Sequence, residues 1–140
     1  YMLHDPHTIP EPVLVLSGLS YLIPSYMALK RRRYYDGYSY IFLTLTTVGF
    51  HGTRSELIFF LDCLAILNFL LSSYYNSLKS SCFIRTVYYS SISYSLISYF
   101  VGQQFQIMSF DPDWNTQMFY HSLMHLSSSY LSYLYMSQVT

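Results

Sequence analysis

The chain has 140 residues, of which 52% are hydrophobic, 20% aromatic and only 10% charged, with seven basic and seven acidic side chains. So few charges cannot solvate the surface of a globule this size, and a balanced charge excludes a nucleic-acid binder, which needs a basic excess. High hydrophobicity excludes a disordered chain, and two cysteines cannot build a disulfide framework. The length fits one domain over residues 1–140. An all-α, polytopic transmembrane helix bundle is what survives.

A bilayer-crossing helix needs about 20 mostly apolar residues, and charge-free stretches mark five expected spans. The first is 13–29, carrying Pro24, which predicts a kink, and ending at Lys30-Arg31-Arg32-Arg33. A short second span covers 38–52. The third, 57–75, contains Asp62; the fourth, 83–101, is rich in Tyr and Ser and has Arg85 at its entry; the fifth, 117–136, contains His121 and His125. The 17 Tyr and 22 Ser residues lower the mean hydropathy to +0.25 without adding charge, so hydropathy alone understates the membrane content. Tyr34, Tyr35, Tyr38 and Tyr40 read as an interfacial belt. Asp111 to Asn115 reads as an N-terminal cap on the fifth span.

Loop charges give a topology. One side holds Lys30, Arg31, Arg32, Arg33, Asp36, Lys79 and Arg85, net +5; the other holds Asp5, Glu11, Arg54, Glu56, Asp111 and Asp113, net −4. Positive loops face the cytoplasm or matrix. The N-terminus is therefore expected on the outer, lumenal or intermembrane side, and the C-terminus on the cytoplasmic or matrix side. The tetrabasic run itself reads as a topology determinant, or more sharply as a lipid-headgroup contact.

Ionisable residues inside a membrane are costly and are functional candidates by default. His121 and His125 are four apart, on one face of a helix, and so are Thr47 and His51. The topology puts His51, Asp62, His121 and His125 at one depth near the acidic side. Three histidines at one depth suit a zinc with three protein ligands and an open position, and Asp62 is the one carboxylate there to take a proton from water. A bis-histidine haem is a second metal reading, but it leaves Asp62 without a role.

These residues carry a resemblance. Thr47-Val-Gly-Phe-His51, Asp62 eleven positions on, and His121-Ser-Leu-Met-His125 resemble the alkaline ceramidases, of the superfamily of membrane hydrolases that includes the adiponectin receptors. Ser17 to Pro24 followed by a basic loop is similar to that family's first span. The resemblance covers roughly residues 11–62 and 114–136. It implies an intramembrane zinc on His51, His121 and His125, with Asp62 and Thr47 as catalytic groups that position and activate water, and hydrolysis of the amide bond of ceramides. The family has seven spans against five here, and a Ser where Thr47 stands. Its N-terminal calcium-binding acids are mostly missing, with Asp5 and Glu11 nearby, so calcium is doubtful. The expected partners are the bilayer and a lipid substrate. A ceramidase-like accessory subunit of a larger membrane complex, in a setting such as the mitochondrial inner membrane, stands as the alternative.

Overall fold

The structure is a computed structural model that describes residues 11–138; Asp5 and the other N-terminal residues lie outside the described part. Within it every element is helical. Five long helical segments follow one another: α1 (Pro12–Lys30), α2 (Tyr34–Thr53), α3 (Glu56–Leu78), α4 (Cys82–Leu96) and α5 (Trp114–Gln138). Helix α4 runs on through a π-helical turn, Ile97–Val101, and a last turn, Gly102–Phe105. A 3₁₀ turn at Met108–Phe110 leads to α5. Each helix packs on the next in chain order, and α5 closes back onto α1, giving a ring of five.

All five expected segments are present as helices, with altered limits. The second is not short: it spans 20 residues because Asp36 and Gly37 belong to its first turns. Asp36 is therefore not a loop charge. It is buried, paired with Arg33 at 2.7 Å, and accepts hydrogen bonds from Ser72 and Asn76 on α3. Gly37 lets α1 turn back this tightly, since a Cβ there would stand 2.6 Å from the Leu29 side chain. Asp113 caps α5: its carboxylate accepts the backbone N–H of Thr116 at 2.9 Å and the Thr116 hydroxyl at 2.8 Å.

Pro24 acts on the turn that precedes it. It has no N–H to give the carbonyl of Ser20, and its ring crowds that carbonyl. The helix answers by tightening to a 3₁₀ turn over Leu19–Tyr21. The Ser129 hydroxyl of α5 then donates to the Ser20 carbonyl at 2.9 Å, so a neighbouring helix supplies the missing donor.

The ring is unusual in what it buries. The core joins Tyr21, Tyr40, Leu43, Phe69, Ile84, Tyr88, Leu131 and Tyr135, with Ala28 and Ala65 allowing close approach. Tyr40 thus belongs to the core and not to an interfacial belt, whereas Tyr34, Tyr35 and Tyr38 are exposed. On α3 the outward stripe is Leu57, Phe60, Leu64, Leu67 and Leu71, and the inward stripe is Asp62, Ala65, Phe69, Ser73 and Asn76. A water-facing helix has the opposite arrangement. Two segments, Pro12–Lys30 and Glu56–Leu78, are long and apolar enough to cross a membrane. In the others serine and tyrosine lower the hydropathy: α5, at 25 residues, extends about 37 Å.

Candidate metal centre

Helix α2 enters the site through its last turns. Thr46, Thr47, Phe50 and His51 are all buried there. Helix α5 enters through its first half, where His121 and His125 stand one turn apart on the face toward α1 and α2. The three imidazoles form a nearly equilateral triangle, with ring centroids 5.0, 5.1 and 5.4 Å apart. One ring nitrogen from each lies within 4.8 Å of the other two.

The outer nitrogens fix how two of the rings face. His51 donates through Nδ1 to Glu11 Oε2 at 2.6 Å, and Arg54 donates to the same oxygen at 2.7 Å. The Glu11 backbone N–H also bonds the His51 carbonyl at 3.0 Å, so the start of α1 grips the end of α2 twice. Ser17 donates its proton to the Leu14 carbonyl at 3.1 Å, which leaves its oxygen to accept from His125 Nδ1 at 2.8 Å. With Nδ1 as donor in both rings, the Nε2 lone pair is the one left for a ligand.

Arg54 reaches Glu11 because of its backbone. It occupies the left-handed region, at φ 58°, as it ends α2, and its N–H bonds the Phe50 carbonyl at 2.7 Å. Its guanidinium also lies over the Phe50 ring, 5.2 Å from the centroid.

Asp62, buried near the start of α3, accepts the hydroxyls of Thr46 at 2.8 Å and Thr47 at 2.7 Å, both on Oδ1. The resemblance implies a part for Thr47 in positioning and activating water. Its single O–H is instead spent on Asp62, which makes it a positioning group for that carboxylate.

The structure brings His51, His121 and His125 into one cluster, and Thr47, one turn from His51 on α2, holds Asp62. Four further participants escaped the sequence reading. Glu11 and Arg54 counted there as loop charges, Ser17 as part of a first-span pattern, and Thr46 was passed over. Glu11 carries an ion pair and an imidazole contact, a different task from the calcium ligation considered for it.

The donor set fits zinc: three imidazoles, two of them oriented by an acceptor on the far nitrogen. A tetrahedral ion with Zn–N near 2.0–2.1 Å would set the nitrogens roughly 3.4 Å apart. The present separations, up to 4.8 Å, are wider than that, so the three rings would have to draw together around an ion. No protein-family model, curated protein or solved structure matches the chain.

Proposed function

We propose that the chain is a multi-pass membrane hydrolase that uses zinc to cleave the amide bond of a ceramide-like lipid. One observation carries the reading: imidazoles from α2 and α5 converge at one end of the ring, with His51 and His125 each held by a hydrogen bond on Nδ1. The match of His51, Asp62, His121 and His125 to the alkaline ceramidase pattern, with Thr47 in place of its Ser, supports the substrate class. The inverted polarity of α3 supports a bilayer as the surrounding solvent. In this reading all five helices cross the membrane, with the basic loops on the cytoplasmic or matrix side and the histidines near the opposite face.

Bound zinc would supply Lewis acidity and lower the pKa of water toward ~7. The chain's own residues do the rest. Glu11, paired with Arg54, holds His51 in the tautomer that offers Nε2. Ser17 does the same for His125. Thr46 and Thr47 hold Asp62 through Oδ1, so Oδ2 is the atom that takes the proton from the attacking water and returns it to the departing amine. Exclusion of bulk water strengthens each of these interactions.

The test is a ceramide-cleavage assay with zinc analysis on the parent, Asp62→Asn and His125→Ala. Turnover in the parent that falls ~10²- to 10⁴-fold in Asp62→Asn, at unchanged zinc content, is the expected result. His125→Ala should hold well under one equivalent of zinc. Full zinc in His125→Ala, or activity that survives Asp62→Asn, sinks the mechanism. A zinc-loaded parent without turnover favours the second reading, an accessory subunit of a larger membrane assembly. The exposed, stacked Tyr130–Tyr133 pair on α5 suits that reading as a lateral contact surface.

A further inference from the structure

The opposite end of the ring holds a second candidate site, unrelated to the histidines. A cavity of about 320 Å³, room for about ten waters, lies between the ends of α2, α3 and α5 and is lined by Arg33, Tyr75, Asn76, Lys79, Tyr135 and Gln138 among others. Its two charged side chains are both cations. A neighbouring cavity of about 340 Å³ shares Arg33, Tyr75 and Asn76 and is bordered by Asp36.

Arg33 is preorganised. Its Nη2 donates to Asp36 at 2.7 Å and to Asn76 at 2.8 Å. Among the described residues no protein group takes the N–H donors of Nε and Nη1. Lys79 lies against Tyr75, with Nζ 4.1 Å from the ring centroid and 2.5 Å from the hydroxyl, which uses one of its three donors. The carbonyl end of α3, a source of negative potential, is covered by Arg85, which donates to the carbonyls of Leu78 and Ser80. Lys30, Arg31 and Arg32 add positive charge at the same end, whose loops and helix starts sum to +5.

We propose that this cavity binds the phosphate of an anionic lipid head group. A rigid guanidinium and a nearby ammonium with spare donors match phosphate oxygens, and basic pockets between membrane helices on the cytoplasmic or matrix side suit such head groups. The proposal shares the membrane placement with the hydrolase reading but not its catalysis, so either can fail alone.

The experiment is a thermal-unfolding titration of the full chain in phosphatidylcholine nanodiscs. Phosphatidylglycerol is added in one arm, further phosphatidylcholine in a second, and inorganic phosphate in a third. Saturable stabilisation by phosphatidylglycerol alone is expected. Lys79→Gln should weaken it about fivefold, and Arg32→Gln, an exposed cation of the same end but outside the cavity lining, should leave it nearly unchanged. Equal weakening in both variants would mean diffuse attraction to a basic surface and overturn the pocket, as would an unaffected Lys79→Gln or no saturation. Equal protection by inorganic phosphate, lost in Lys79→Gln, would overturn the head-group assignment in favour of a soluble phosphate.

Discussion

Glu11 and His51 meet at 2.6 Å, carboxylate oxygen to Nδ1, where the start of the first helix lies against the end of the second. Both side chains are buried, and Arg54 closes the group from the other side. A buried carboxylate is tolerable only when paired and hydrogen-bonded. The same contact therefore stabilises the fold and aims the imidazole.

Glu11→Gln keeps an acceptor for His51 but removes the charge. Zinc affinity should fall ~10- to 100-fold, the usual cost of losing a carboxylate behind a ligating histidine. Competitive metal titration against a chromophoric chelator measures it. Unchanged affinity would mean that Glu11 serves the fold alone.

Thr46 and Thr47 share one oxygen of Asp62, so their effects should not add. Each single Thr→Val leaves one donor in place and should cost about 1.5–3 kcal/mol. The double variant leaves the buried carboxylate without either hydroxyl and should cost more than the sum. A double-variant cycle in reversible detergent unfolding reads the coupling. Simple additivity would show that the two bonds act independently.

Gly18 faces α2 where Thr47 sits. An added Cβ would stand 3.1 Å from Thr47 Cγ2, closer than ordinary contact, and would push α1 away from the residue that holds Asp62. Gly18→Ala should lower stability by about 1–3 kcal/mol. Gly52→Ala, whose Cβ would find its nearest neighbour at 3.9 Å, provides the comparison and should be close to neutral.

The membrane topology is testable with thiols. Cys82, exposed at the start of α4, and a cysteine placed at exposed Pro112 should label from opposite sides in a Cys63→Ser background. Labelling of both from one side would refute five crossings.

At the start of α5, the Thr116 backbone N–H, and then its hydroxyl, hold the Asp113 carboxyl below the ordinary carboxylate range. Because the folded value is depressed, this stabilisation is complete above the unfolded pKa and is lost as pH falls through the lower, folded one. Asp113→Ala should speed amide exchange at Thr116 near neutral pH. Lowering the pH through that window should bring the parent toward the variant.

The helices were legible in the sequence because charge-free runs bounded by charged loops survive any reading of hydropathy. Loop charges alone pointed His51 and His121 to the same end of the helices, where their rings do meet. What sequence could not show is partnership across helices. Glu11 and Arg54 look like loop charges until the left-handed turn at Arg54 brings them together. Asp36 looked like a loop charge for the same reason: nothing in a linear reading says that Ser72 and Asn76 wait for it on α3. Tyr40 was misread because tyrosine is equally at home at an interface and in a core.

The proline in α1 has an effect on the far helix. Ser17 with His125, and Ser20 with Ser129, are two bonds about a turn apart on both helices. Together they work like two pins in a hinge plate: one allows rotation, both forbid it. The second pin exists because Pro24 denies Ser20 its usual partner. Pro24→Ala, remote from any ligand, should restore the helical bond, loosen Ser129 and leave α5 free to turn its two histidines out of register.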